Sequence, residues 1–544
     1  MRKLGNVRIQ KAQRIFDAEL KRAFAVSGFV GSFCVVAATF TSFYISSAAA
    51  LTVAFGFCSV TGCLFIIFKT LGKKIANIFL AAFIGAAVCM SAWLFKYINY
   101  GKQRNALCDG EKHTVRLVMT DDGRKTLSGY YLYSTKPESA PLAGEITVIT
   151  REPLECPVFT AIEGEFKFSA PDGKYAAANY ASSTVASVFI DAKKASFSKT
   201  DGFFFSKAIY SARKYIEKNI EAVAEKEQGF LKALILGRKQ EMSLRQREAL
   251  SDAGLSHIIA VSGLHISVFI AFLSKLFSFV RNRFIRNITF ILAVFLLAAV
   301  CGFTSSVVRA SLMSALAFSG NLLRRKTDNL NNLGFAALII VLADPLSAVS
   351  ASFLLSFGAT FGIILLAEKF SVLSSTAFFR LTKHYPNRVF RFFSGLFCTS
   401  LAAFFFTFPL LYYFFGDQSF ISVFSNIVCL PIVSILYPCA VAAVLLEMTV
   451  FLHPLAAVLG YVCDKMTELL MFFVFRLVRL RRLTGDMGIF EYMISVASTA
   501  AVYGIFKIPR KRTMRSQLAK RNTALTTVAP ALTFLILITL FSIF

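Results

Sequence analysis

Runs of about 20 apolar residues recur along this chain, separated by short stretches rich in Lys and Arg, and that pattern leaves few folds open. A helix needs roughly 20 such residues to cross a hydrocarbon core about 30 Å thick. A soluble domain would have to hide every run at once. With 56% of its 544 residues hydrophobic and only 17% charged, the chain has too little polar surface to do so. The fold expected is therefore a polytopic α-helical membrane protein of about 11–13 transmembrane helices with a small extracellular β-barrel after the third. Candidate spans fall near 23–45, 51–68, 75–99, 257–280, 287–303, 305–323, 331–344, 349–367, 394–414, 420–449, 454–475, 489–507 and 524–544.

A net charge of +28 would point to nucleic acid in a soluble protein, but membrane proteins gather Lys and Arg in cytoplasmic loops. The basic clusters at 2–22, 69–74, 281–286, 324–326, 369–391 and 509–521 agree on one orientation, with the N-terminus cytoplasmic. The twenty or so residues before the first span, with no small-residue cleavage site, argue against a removed signal peptide. The expected organisation is a cytoplasmic N-terminus with three spans (1–100), an extracellular barrel (101–202), basic amphipathic juxtamembrane helices (203–250), a core of apolar spans (251–450) and C-terminal spans (451–544).

From His113 to about Ile190 the sequence reads as short strands bounded by turns: Thr114–Met119, a Thr120-Asp-Asp-Gly turn, Gly129–Tyr133, Glu145–Thr150 and Glu165–Phe168. A barrel of the oligonucleotide-binding type holds single strands by stacking bases on aromatic rings. Tyr130, Tyr131, Tyr133, Phe166 and Phe168 are candidates, although alternating aromatics in a half-buried strand also serve as core. Cys108 and Cys156 lie in this outer domain and form a candidate disulfide, whereas the other cysteines fall in apolar spans as small buried hydrophobes.

Between Ser206 and Gln246, apolar residues recur at helical spacing among many cations, which predicts amphipathic helices lying on the membrane face. Their position outside is where a positive-inside bias would not put them, so Lys207, Arg213, Lys214, Arg238 and Lys239 are candidates for contact with a polyanion, of which DNA is one. Arg476, Arg479, Arg481 and Arg482 fall outside as well.

After Leu234-Ile-Leu-Gly237 comes ALSDAGLSHIIAVSGLHISVF, Ala249 to Phe269, which places His257, Ser262, Gly263 and His265 at the head of an apolar span. Three further stretches follow: GFTSSVVRASLM (302–313), ADPLSAVSASFLLSFGA (343–359) and FPLLYYFFGDQSFISVFSNIVCLPIVS (408–434). In this order they resemble the ComEC family of competence DNA channels. The resemblance covers about 230–450, and the outer domain is similar to that family's barrel more loosely. It implies a bacterial plasma-membrane channel that passes single-stranded DNA to the cytoplasm, working with a membrane DNA receptor and a cytoplasmic helicase-like ATPase. Longer family members carry a C-terminal metallo-β-lactamase-like domain. Here the chain stops at Phe544, and none of its five histidines forms the HxHxDH cluster such a metal site needs, so no nuclease is expected in this polypeptide and a separate one is implied. There is also no GxxxxGK[ST] phosphate loop, and no cofactor is expected.

Polar groups are costly in lipid and face partners or water. His257, Ser262, His265, Arg309, Asp344, Ser356 and Asn426 are thus candidates for a DNA path. His257 and His265 stand eight apart, offset by about 80° on an ideal helix. Either they line a pore or they bond to neighbouring helices. Arg309 either snorkels outward or meets phosphate. Asp344-Pro345 also reads as a helix cap followed by proline at the first helical position. Asn426, Pro431 and Pro438 suggest a broken helix. A transporter of a small or lipidic substrate, with the outer domain as a docking module, is the alternative. A membrane hydrolase using Ser262 and His265 is a third, with no carboxylate partner in view.

Overall fold

The computed structural model describes residues 23–44, 76–126, 129–138, 144–154, 157–170, 184–191, 196–199, 204–324, 327–415 and 421–484, with a few isolated positions between 59 and 66. It is a helical bundle with a separate, barrel-like sheet. Five helical stretches are long and apolar enough to cross a membrane: Phe79–Leu107, Arg283–Val300, Ala351–Thr382, Arg388–Phe415 and Ile421–Glu447. Three shorter apolar helices accompany them, Val26–Thr39, Gly263–Leu276 and Asn329–Ala343. The protein is therefore a polytopic membrane protein with a small β domain. The spans expected at 489–507 and 524–544 lie outside the described residues, as do most of 51–68 and the basic residues Arg481 and Arg482 as side chains. The stretches at 305–323 and 454–475 do form helices, but their polar residues keep both out of the apolar set.

Helices α1 (Ala23–Tyr44) and α2 (Ala76–Leu107) lead the chain in. At 32 residues α2 outruns the hydrocarbon core by several turns, and its end enters the β domain. There Leu107 is buried in the domain core, and the Tyr100 hydroxyl donates to the Thr184 carbonyl at 2.9 Å. The strands are β1 (His113–Met119), β2 (Arg124–Lys125), β3 (Tyr131–Pro137), β4 (Glu145–Thr150), β5 (Thr160–Phe166), β6 (Thr184–Phe189) and β7 (Ser196–Lys199). Alternation sets the faces: in β4, Ile146, Val148 and Thr150 point inward and the residues between them are half-buried. The order is β6-β4-β3-β1-β5-β7, antiparallel throughout except that β6 runs parallel to β4, and β2 adds to β3. This is the connectivity of a partly open Greek-key barrel.

The strand expected at Gly129–Tyr133 begins later, because Gly129 adopts φ +86° and closes the turn in which Thr126 donates to the Tyr130 carbonyl. The one expected at Glu165–Phe168 begins earlier and ends at Phe166. Phe168 leaves the ladder and turns into the core.

Helices α3 (Phe204–Val223), α4 (Gln228–Leu236) and α5 (Leu244–Asp252) follow, then α6 (Gly263–Leu276), α7 (Arg283–Val300), α8 (Ser305–Leu322) and α9 (Asn329–Ala343). Helix α10 (Ala351–Gly362) continues through a π-turn at Ile363–Ala367 into α11 (Glu368–Thr382). Then come α12 (Arg388–Phe415), α13 (Ile421–Glu447) and α14 (His453–Thr484). The break expected in α13 is absent: the helix runs on through Pro431 and Pro438. Each proline removes one backbone hydrogen bond, while buried residues from Ile421 to Val444 anchor the helix on both sides of them.

The apolar residues gather into two large bodies. One is built on α1, α2, α9, α10 and α12, around Trp93, Phe361 and Phe408. The other is built on α3, α4, α5, α13 and α14, around Phe230, Leu231 and Tyr437. A small cluster on α6, α7 and α8 stands with them. The helices expected to lie on the membrane face pack part of their apolar side into the second body, while Phe204, Phe205 and Tyr215 of α3 stay exposed. Ile220, Phe230, Leu231 and Leu234 are all buried there, and α3 and α4 contact α13.

Candidate functional site

The signature stretch begins as a turn. Gly254 takes φ +70° and comes so close to α13 that a Cβ would lie 2.3 Å from the Ser422 Cβ. Residues 255–262 then run irregularly, and α6 starts only at Gly263. His257 therefore precedes the helix that carries His265, and the helical offset expected between the two does not apply. Ser262, in extended conformation at the N-cap, explains where the helix starts.

His265 closes this cap from the third helical position. The Ser262 backbone N–H donates to its Nδ1 at 3.2 Å, and the Ser262 hydroxyl lies 3.2 Å from the same nitrogen. With Nδ1 accepting, the neutral ring carries its hydrogen on Nε2. That atom is buried and has no hydrogen-bond partner. The ring packs edge-on to Tyr437 of α13, with centroids 4.9 Å apart. The Tyr437 hydroxyl is also buried without a partner.

His257 keeps solvent-accessible surface although protein surrounds it, so it lines a recess within the molecule rather than its outer face. Asn426 stands beside it, with Oδ1 unpaired, and the charge of Lys239 acts on the ring. Burial holds the Lys239 ammonium below the ordinary lysine range. Across the first turn of α6 lies Arg309 of α8, 6% exposed, whose Nη2 would lie 3.2 Å from a Cβ on Gly263. Its Nη1 donates to the Ser356 carbonyl and the Thr360 hydroxyl on α10, and its guanidinium lies 5.9 Å from the centroid of the Phe357 ring. Nε of Arg309 and Oγ of Ser356 have no partner.

The structure thus gathers His257, Ser262, His265, Arg309, Ser356 and Asn426, and adds Lys239, Thr360 and Tyr437. These residues bridge the two apolar bodies: His265 reaches Tyr437 of the second, and Arg309 reaches Ser356 beside Phe357 of the first. Among the described residues no carboxylate acts on Lys239 or Arg309. Several buried polar atoms without partners, set among cations, call for water or an anion. Asp344 belongs elsewhere. It opens the 3-10 turn Pro345–Val349, which packs on α1 and α2. Proline does take the first position there, but the Asp344 side chain makes no cap bond. Ser347 bonds the Asp344 carbonyl instead, and Ser350 caps α10.

Two of the other basic candidates, Lys214 and Arg238, hold the β domain to the bundle. Asp122, in the turn after β1, accepts from the Tyr210 hydroxyl at 2.8 Å and from Arg238 at 2.9 Å, with Lys214 at 3.2 Å. Arg238 also pairs with Glu217 at 2.8 Å, and Lys214 with Glu217 at 3.2 Å. Arg213 donates to the Val300 carbonyl at 2.8 Å, and Lys207 is half-buried on α3. On the β domain, Tyr133 and Phe168 are core. Tyr130 stays outside and meets the exposed Phe189, with the Arg151 guanidinium 5.7 Å from the Phe189 ring centroid. Cys156 lies outside the described residues, and with it the expected bridge to Cys108.

The model of the family described as competence protein matches residues 234–512, more than half of the chain and all of the site just described. The chain belongs to the competence protein family. Within it, ComE operon protein 3 of Bacillus subtilis (strain 168) is 27% identical over 296 residues, which cover 54% of this chain and 35% of that protein. The matched stretch thus spans about a third of that relative's length. No solved structure matches the chain. Family membership and the buried polar seam coincide: the competence match includes α6, α8, α10 and α13, the four helices that supply the unpaired atoms. Phe189 and Arg151 fall outside the match, as does the whole β domain. Tyr437 and Thr360 were not evident from sequence. A tyrosine directly before Pro438 in an apolar run was the available signal for the first, and nothing marked the second.

Proposed function

We propose that this chain is a plasma-membrane channel that passes a single strand of DNA into the cytoplasm during natural transformation. The observation that carries the reading is the polar seam between two apolar bodies, where Lys239 stands by His257 and the buried Arg309 lies across the first turn of α6, with no carboxylate among the described residues acting on either cation. A polyanion is the solute such a seam favours. A single strand also offers base faces, and stacking on aromatic rings contributes about 1–3 kcal/mol per base. Membership of the competence family supports the role in DNA uptake.

In this reading the N-terminus is cytoplasmic and the β domain is extracellular, as the basic clusters suggest. Tyr130, Phe189 and Arg151 meet the incoming strand first, and the network on Asp122 fixes the β domain over the path. The chain itself performs no catalysis. A membrane receptor delivers DNA, a helicase-like ATPase in the cytoplasm pulls it, and a separate nuclease degrades the other strand.

The test is entry of labelled DNA into cells with the gene deleted, then restored as wild type or as His257→Ala. Deletion is expected to abolish entry while surface binding persists, and His257→Ala to reduce entry without loss of protein from the membrane. Unchanged entry after deletion in a competent strain rejects the channel and favours a transporter of a smaller substrate.

A further inference from the structure

A guanidinium stays ionised in any protein environment, so a buried arginine needs a counter-charge or a full set of acceptors. Arg309 has neither. It is 6% exposed, its Nε has no acceptor, and no described carboxylate acts on it. Its neighbour worsens the imbalance. The amino end of α6, a helix of 14 residues, carries the positive end of the helix dipole, and its capping box serves Ser262 and His265 while leaving the N–H groups of the first two helical residues without an intrahelical acceptor. Nη2 of Arg309 lies 3.2 Å from where a Cβ on Gly263, the first residue of that helix, would stand. Two positive features face each other with no carboxylate among the described residues acting on the guanidinium.

We infer that Arg309 and the amino end of α6 form a seat for a phosphate oxyanion, occupied by the successive phosphodiesters of a passing strand. The assignment to a strand rests on the channel reading. The oxyanion chemistry rests on the geometry alone. Three details fit it. Ser356 and Thr360 hold Nη1 and so fix the plane of the guanidinium, leaving the Nε edge and Nη2 for a fork-like contact with two oxygens. Glycine at 263 keeps a side chain out of the space beside Nη2. The third is His265, 1% exposed on the same first turn, whose Nε2–H has no protein acceptor and is available to water or to the ligand. A seat of this kind reads no bases, because the phosphate contact carries no sequence information.

The test uses the full chain in phosphatidylcholine nanodiscs and a short fluorescent oligothymidylate, made with either a phosphodiester or an uncharged methylphosphonate backbone. Wild type is expected to bind the phosphodiester strand far more tightly than the methylphosphonate one. Arg309→Gln should weaken phosphodiester binding roughly thirtyfold or more, the usual scale for removing one partner of a buried charge pair, and leave methylphosphonate binding unchanged. Arg309→Lys keeps the charge but loses the fork, and should fall between. Gly263→Ala leaves every charge in place, places a methyl beside Nη2, and should weaken phosphodiester binding in the same direction. Unchanged phosphodiester affinity in a folded Arg309→Gln protein overturns the seat. If that variant does not fold, Gly263→Ala and the two backbones on wild type decide, and equal binding throughout overturns it.

Inorganic phosphate separates the sources of the oxyanion. Arg309-dependent thermal stabilisation by phosphate, with no Arg309-dependent oligonucleotide binding, overturns the strand assignment in favour of a small-anion site. The outcomes are also distinct from those of the channel reading. DNA entry that survives deletion rejects the channel, whereas entry lost on deletion together with binding indifferent to Arg309 rejects only the seat.

Discussion

Asp122 is the residue on which the β domain and the bundle meet. Burial pushes its carboxyl up, but the hydrogen bonds from Tyr210 and Arg238 and the charge of Lys214 outweigh that and hold it below the ordinary aspartate range. Tyr210 moves the opposite way, raised by burial and by its bond to that carboxylate, and so stays a donor. The sign of the pH effect follows. A carboxylate depressed in the fold contributes its stability above the unfolded value of about 3.9, and the contribution is lost as pH falls through the lower folded value. Hydrogen exchange should therefore show β1, α3 and the 3-10 turn at Lys239–Glu241 loosening from one another below about pH 4, while the core of each domain stays protected. Asp122→Asn should show the same loosening at neutral pH. Uniform protection in both cases would count against Asp122 as the joint.

At the scale of elements, two contacts hold the helices in place by different physics. Gly28 of α1 sits against α9 so closely that a Cβ would lie 1.8 Å from the Gly334 carbonyl oxygen. Helices in lipid gain little from apolar burial against one another and depend on such close approach. Gly28→Leu should destabilise the first body by about 1–3 kcal/mol, the range for overpacking, read as a lower melting temperature in detergent. The second contact is polar. Asp464 of α14, 5% exposed, accepts from the backbone N–H groups of Glu225, Lys226 and Glu227 at 3.1–3.2 Å, so a distant carboxylate anchors the turn between α3 and α4. Asp464→Ala should cost about 1.5–3 kcal/mol, the scale of a hydrogen bond to a charged group, and raise exchange at those three amides. A stability equal to wild type would show that water replaces the carboxylate.

For the whole molecule, the arrangement separates tasks. Two apolar bodies provide rigid walls, the small cluster on α6, α7 and α8 stands with them, and the polar residues lie at the seam. Relative motion of the bodies would change the spacing between His265, which packs on Tyr437, and Arg309 of α8, which bonds to α10, without breaking either core. The β domain is tied to the second body through Asp122, and to the first through α2, which runs on into its core. Loss of DNA entry on deletion, with the smaller effect of His257→Ala, tests this scale directly.

The sequence by itself determined the class of fold, because repeated apolar runs admit only membrane-crossing helices and a stretch of alternating residues admits only a sheet. It also marked the stretch around His257, Ser262 and His265, since polar residues at the head of an apolar run must have a partner. Tertiary structure decided the rest. Whether Arg238 and Lys214 face solvent or carboxylates depends on Asp122 and Glu217, and Asp122 is more than a hundred residues from Arg238 in sequence. Periodicity reports an apolar face but not what covers it, and in the helices at 204–252 it is α13 and α14 that cover Ile220, Phe230, Leu231 and Leu234. Lys239 looked like part of that surface, yet the turn after Gly237 carries it to the recess beside His257. Only the packing of α6 against α8 places Arg309 at the amino end of a helix 46 positions earlier in the chain, where charge without counter-charge becomes legible.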